Sequence, residues 1–189
     1  SFGFDSSLNV KLYYYNGSQT ALTSTLTVVA NQWNHIAFTK TSSGVAFFCN
    51  GVGQAAQAIS GTPQSSATYN INIGQYNGTG VVGYISNARI VYGTAVYTGT
   101  SYSVPTTPLQ PVANTKLLTT QSPSFVDNSG TNSTITTSGS PSIQRFNPFG
   151  GITLPTPYYS NYFNGSTDSI QLPKAVITGL NSGSSGNYT

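Results

Sequence analysis

The chain has 189 residues, enough for one full domain or one domain plus part of another, and enough to bury a core. Charged residues make up only 5%, with six Lys and Arg against three Asp, no Glu and a net charge of +3. That balance excludes most acid–base catalysis. The basic residues, Lys11, Lys40, Arg89, Lys116, Arg145 and Lys174, are scattered, so the clustered basic face that nucleic acid requires is not expected. Aromatics at 12% exclude a disordered chain. Serine, threonine, asparagine and glycine occupy the places of charge, and such a surface repels copies of itself weakly.

Glycine, proline and β-branched residues interrupt every helical window, so the chain reads as all-β. Strands are expected at 8–15, 22–29, 33–40, 44–49, 69–74 and 83–92. Within 33–40, Ile36 and Phe38 share one face and Trp33, His35 and Ala37 the other, which predicts a strand covered on both sides. The single cysteine, Cys49, alternates with Val45 and Phe47 and reads as a buried, inert thiol, with no disulfide or zinc cluster. Asn-Gly pairs at 16–17, 50–51, 77–78 and 164–165 are tight-turn signals. Residues 98–115 hold Pro105, Pro108 and Pro111 and read as an extended crossover. Further strands are expected at 116–119, 134–137 and 142–146, then at 159–163 and 168–172. Proline and glycine at 150–157 mark a linker. No apolar stretch reaches the ~20 residues of a membrane span. The absence of methionine predicts a processed product or an excerpt of something longer.

Three blocks then fall in order. The first is Asn31-Gln32-Trp33-Asn34-His35-Ile36-Ala37-Phe38-Thr39-Lys40, followed by Phe47-Phe48-Cys49-Asn50-Gly51. The second is Ile71-Asn72-Ile73-Gly74, then Gly83-Tyr84-Ile85-Ser86-Asn87-Ala88-Arg89-Ile90. The third is Leu117-Leu118-Thr119, Phe125-Val126-Asp127-Asn128-Ser129 and Phe146-Asn147-Pro148-Phe149. Together, over residues 1–149, they resemble the laminin-G-like, concanavalin A-like jelly-roll domains of bacteriophage virion proteins and large bacterial surface proteins. The extension Val91-Tyr92-Gly93-Thr94-Ala95-Val96-Tyr97 is most similar to the tail-fibre and decoration branch.

The resemblance implies an antiparallel two-sheet sandwich and a place on a virion, outside the cell or at its surface. It also shows a departure. Family domains open with a strand like Tyr162-Phe163-Asn164-Gly165, which here comes last. Residues 1–149 are therefore expected to be a sandwich lacking its usual first strands. Residues 158–189 are then either the start of a next repeat or a strand supplied to this or a neighbouring sandwich.

For function, two classes stand. One is a non-enzymatic structural and adhesive module, contacting copies of itself or other virion and surface proteins and binding host glycans. The other is a lectin-like adhesin, with a glycoside hydrolase fragment as a further alternative. Hydrolysis generally uses two carboxylates ~5–9.5 Å apart, and Asp5, Asp127 and Asp168 are far apart in sequence. His35 reads as a structural imidazole. Asp127 and Asn128 are weak calcium candidates, set against an Asx-turn in which the carboxylate bonds its own backbone. No other cofactor is expected. The tyrosines, with Tyr13-Tyr14-Tyr15 and Tyr158-Tyr159 foremost, serve the core, a subunit contact or sugar stacking. Tyr76 and Asn77 are the candidates for a glycan-facing rim.

Overall fold

A computed structural model of the chain describes residues 1–64, 70–76, 78–149 and 158–173, with backbone alone at 76. The Pro/Gly linker expected at 150–157 and residues 174–189 lie outside the described residues. The chain divides into two compact units. Unit 1 contains residues 1–66 and 91–104, and unit 2 contains residues 67–90 and 105–178, beside a terminal segment outside the described residues.

Unit 1 is built from β1 (Phe2–Phe4), β2 (Asn9–Tyr15), β3 (Gln19–Thr27), β4 (Ile36–Thr41), β5 (Gly44–Cys49) and β6 (Val52–Gly53). They form two antiparallel sheets, β1-β2-β3 and β4-β5-β6. Period-two alternation fills the space between them. Val10 comes from β2, and Val45, Phe47 and Cys49 from β5, all buried, with Leu22, Leu26, Ile36 and Phe38 packed against them. The Cys49 thiol is held up in pKa by burial and donates to the Thr27 carbonyl oxygen at 3.5 Å. The Asn50-Gly51 turn joins β5 to β6 with both residues at positive φ (47° and 90°), the requirement that asparagine and glycine meet cheaply. Asn50 also returns to the strand before it. Its Oδ1 accepts from the His35 N–H at 2.9 Å, and its own N–H donates to the His35 carbonyl at 3.0 Å.

Unit 2 is built from β7 (Ile71–Ile73), β8 (Gln75–Tyr76), β9 (Thr79–Gly80), β10 (Val82–Ile85), β11 (Ala88–Val91), β12 (Thr115–Thr119), β13 (Thr136–Ser138), β14 (Ser142–Gln144), β15 (Ser160–Asn164) and β16 (Ser169–Leu172). The 83–92 stretch, read from sequence as one strand, is two. Asn87 takes φ 60° and turns the chain between β10 and β11, and its Oδ1 accepts from the Leu109 N–H. The strand expected at 33–40 begins at Ile36, because Asn34 and His35 are spent on loop and turn hydrogen bonds. No strand occupies 98–114, where the prolines deny the ladder its donors; only an isolated bridge forms at Ser101.

The segment whose destination the sequence left open pairs within this chain. β15 lies between β10 and β14, with Gly83↔Phe163 and Ile143↔Asn161 in register. β16 lies between β13 and β7. Phe163, Ile170 and Leu172 join Leu117 in the buried cluster of unit 2. Gly74, at φ +99°, is demanded by this packing, since a Cβ there would lie 2.3 Å from the Phe163 ring. The return to β15 is stitched locally. Asn147 donates to the Tyr158 carbonyl at 3.3 Å, Ser160 Oγ donates to the Phe146 carbonyl, and the Phe149 and Tyr158 rings meet edge-on at 5.7 Å.

Candidate functional site

The three carboxylates define what the chain can do with protons. Asp127 sits beside β12 and is ringed by donors. Oδ1 accepts from the Leu118 and Ser129 N–H groups at 3.1 and 2.9 Å. Oδ2 accepts from the Ser129 and Thr131 hydroxyls at 2.8 and 2.7 Å and from the Ser133 N–H at 3.1 Å. Burial raises its pKa, but the Thr131 and Ser129 hydroxyls with the Ser129 and Ser133 amides outweigh it and bring the carboxyl down from 3.8 to about 2. A cation needs acceptors turned inward, and here donors point at both oxygens. The neighbouring Asn128 side-chain amide donates to Ser122 Oγ at 2.7 Å. Among the described residues no three His, Cys, Asp or Glu side chains gather. The geometry is that of an Asx-turn enlarged into a loop staple.

The sign of the resulting pH dependence follows. A carboxyl lower in the folded than in the unfolded chain stabilises the fold fully above pH ~4 and loses that contribution as pH falls through about 2. Solvent screens much of it, so Asp127→Asn is expected to cost about 1 kcal/mol at pH 7 and almost nothing near pH 2. Urea titrations at both pH values check this; an equal cost at both contradicts it.

Asp168 is 2% exposed and accepts from the Ser140 N–H at 2.7 Å and the Asn164 N–H at 3.1 Å. Asn164 Oδ1 accepts in turn from the Ser166, Thr167 and Asp168 N–H groups, which closes the β15–β16 turn. Asp5 accepts from the Ser7 and Asn9 N–H groups, and Lys11 Nζ stands 3.8 Å away. Each carboxylate is thus committed to backbone N–H groups, those of its own turn for Asp5, and also Leu118 of β12 for Asp127 and Ser140 for Asp168.

His35 stands at the centre of an aromatic cluster in unit 1. The Tyr102 hydroxyl is 2.6 Å from its Nδ1 and the Tyr97 hydroxyl 3.2 Å from its Nε2. A neutral imidazole has one donor and one acceptor nitrogen, so one hydroxyl donates to the ring and the other accepts from it. Tyr97 and Tyr102 contact each other at 4.7 Å, and both contact Phe48, at 5.8 and 5.6 Å. Desolvation, with Tyr97 and Cys49 nearby, pushes the Tyr102 hydroxyl up to about 12 against the Gly51 backbone bond, so it stays neutral at physiological pH. The imidazole is a pillar between two tyrosines.

That pillar holds the wall of a groove. Thr39, Ala46 and Phe48 share the face of β4–β5 opposite the core, because Thr39 pairs with Ala46 and Ala37 with Phe48. Across this face runs the 97–102 segment. Thr39 Oγ1 donates to the Tyr97 carbonyl at 3.1 Å, the Gly53 N–H to the Thr100 carbonyl at 2.9 Å, and the Tyr102 N–H to the Gly51 carbonyl at 3.0 Å. Between segment and sheet lies an open groove of about 320 Å³. Its lining includes Ala46, Ala55, Ala56, Gln54, Tyr97 and Thr98, with no charged side chain.

Of the sequence-based rim candidates, Tyr76 contributes backbone to β8, and its side chain and Asn77 lie outside the described residues. Of the tyrosine runs, Tyr14 exchanges hydrogen bonds with Ser60, and the Lys11 ammonium lies 5.0 Å from the Tyr13 ring centroid. In unit 2, Tyr84 meets Tyr162 at 5.4 Å and Phe146 at 5.0 Å, both edge-on. Val82, Tyr84 and Phe146 are exposed, which makes a corrugated apolar surface rather than a flat stacking platform. The groove was missed in the sequence because alanines and threonines carry no chemical signature. The one available signal was that Tyr97 and Tyr102 flank Thr98-Gly99-Thr100-Ser101, a stretch with no apolar side chain to give to a core.

A family model described as the concanavalin A-like lectin/glucanases superfamily matches residues 1–96. No curated protein matches the chain, and no solved structure does. No helix among the described residues is long and apolar enough to cross a membrane.

Proposed function

The chain belongs to the concanavalin A-like lectin/glucanases superfamily, and from that premise we propose that it is a non-catalytic adhesive module of a virion or cell-surface assembly. The observation that carries the reading is the fate of its acids. All three carboxylates accept from backbone N–H groups, none lines the groove, and the only imidazole is clasped by two tyrosines. A superfamily that holds both lectins and glucanases is here represented by a chain equipped to hold a ligand. Its contacts run to host-surface glycans and to copies of itself. The exposed Val82, Tyr84 and Phe146 of unit 2 suit a contact between copies, since aromatic side chains are enriched at interface cores and this neutral surface does not repel itself.

Sedimentation velocity on the full chain tests the assembly side. Reversible association that persists at ~0.5 M salt, where surface charge is screened, is the expected result. A strict monomer at ~100 μM, or association abolished by salt, overturns it.

A further inference from the structure

We infer that the outer edge of β3 is a strand-pairing surface for a second copy of this chain, gated by the side chains of Gln54 and Gln57. The inference rests on the self-associating side of the reading above and gives it a surface in unit 1. β3 is the outer strand of β1-β2-β3 and runs antiparallel to β2 from Gln19 to Thr27. Two bonds fix which of its main-chain groups face away from β2. The Thr25 N–H donates to Gln54 Oε1 at 2.8 Å, and the Thr23 carbonyl accepts from Gln57 Nε2 at 3.1 Å. In an antiparallel strand the N–H and C=O of one residue face the same edge, and the edge alternates from residue to residue. Gln19 and Ala21 therefore face outward with Thr23. Among the described residues, the Ala21 N–H and carbonyl have no partner on that side.

The two glutamines show what this edge accepts. A side-chain amide carries the same donor and acceptor as a peptide group. The edge takes an amide oxygen at Thr25 and an amide nitrogen at Thr23, as it would from a neighbouring strand. Both glutamines are anchored on β5. The Gln54 N–H donates to the Phe47 carbonyl at 2.8 Å, and Gln57 and Val45 exchange main-chain bonds at 2.8 and 2.9 Å. The clasp covers the C-terminal half of β3 and leaves Gln19 to Leu22 open.

A second copy fits the open half. β3 carries no charged residue and no proline, the usual means of keeping an edge from pairing. Its exposed side chains, Gln19, Ala21, Thr23, Thr25 and Thr27, are all neutral. Two copies meeting antiparallel about a two-fold axis at Ala21 set Ala21 opposite itself and Gln19 opposite Thr23, each pair bonded through its outward groups. No like charges come together. The Thr23 carbonyl is then contested between Gln57 and Gln19 of the second copy, which makes Gln57 the gate. Thr25 lies beyond the pairing and keeps Gln54.

Amide hydrogen exchange of the full chain, followed by nuclear magnetic resonance at ~20 and ~500 μM, tests this. The Ala21 and Thr23 amides are expected to exchange at least about threefold more slowly at the higher concentration. The Leu22 amide, turned toward β2, is expected to keep its rate and serves as the control. Ala21→Pro removes the outward N–H without touching the β2 ladder, and Ala21→Lys sets like charges opposite each other. Each is expected to abolish the concentration dependence at Thr23. Gln57→Ala is expected to slow Thr23 exchange by about threefold at the lower concentration, because the gate is gone. Exchange at Ala21 and Thr23 that ignores concentration overturns the inference. If such a chain still associates in sedimentation, copies meet elsewhere and the assembly reading stands; if it is a monomer, both fall. A dependence that survives both Ala21 variants also overturns it, and Thr23 exchange unchanged by Gln57→Ala removes the gate. Protection gained only on adding a synthetic alternating Thr-Val peptide would assign the edge to a foreign strand and overturn the pairing of copies.

Discussion

Phe163→Ala is expected to destabilise unit 2 by about 3–5 kcal/mol, the range for emptying a large aromatic site in a core. The ring is fully buried against Leu117, Ile170 and Leu172, and Gly74 leaves no room for even a methyl group beside it. A cavity opened there has little means of collapse, because Phe163 belongs to the middle strand of β10-β15-β14 and both neighbours are tied to it by ladder bonds. Phe163→Leu, which refills most of the volume, is expected to cost about 1–2 kcal/mol. Hydrogen exchange of the β15 and β16 amides, with urea unfolding followed by circular dichroism, reads both variants. A loss under ~1 kcal/mol for Phe163→Ala would mean that this strand does not complete the sandwich of its own chain.

His35→Ala is the second large effect, expected at about 2–4 kcal/mol. It removes the partner of two part-buried phenols and the ring contacts to both, edge-on at 5.3 Å to Tyr97 and tilted at 5.2 Å to Tyr102. Tyr102→Phe keeps the ring and drops only the hydroxyl, so about 1 kcal/mol is expected. Trp33 lies two residues from the substitution and its fluorescence reports the change. If His35→Ala unfolds at the urea midpoint of the parent chain, the imidazole is no pillar and the groove wall stands on something else.

Strand positions were legible because one inward side chain in two is apolar. Val45, Phe47 and Cys49 declared both the strand and its buried face, and the fold confirms them. Partners were not legible. Tyr162-Phe163-Asn164 reads as a strand anywhere, and only the register Gly83↔Phe163 says which sheet receives it. The break between β10 and β11 hides in one residue, since asparagine adopts φ 60° readily yet sits equally well in a strand end. Asp127-Asn128-Ser129 carried two readings, cation cage or Asx-turn. The choice needed the hydroxyls of Ser129 and Thr131, whose direction no sequence displays. The groove was the least legible. Ala46, Ala55, Thr98 and Thr100 are anonymous until β4, β5 and the 97–102 segment bring them together.

Retention without turnover tests the account most directly. The full chain is passed over immobilised neutral polysaccharide at pH 7, and the eluate is assayed for new reducing ends over a day. Retention that yields to free neutral oligosaccharide, with no reducing ends above the protein-free control, is what committed carboxylates and a neutral groove predict. Steady release of oligosaccharide would mean that an aspartate assigned here to backbone hydrogen bonds is shuttling protons instead.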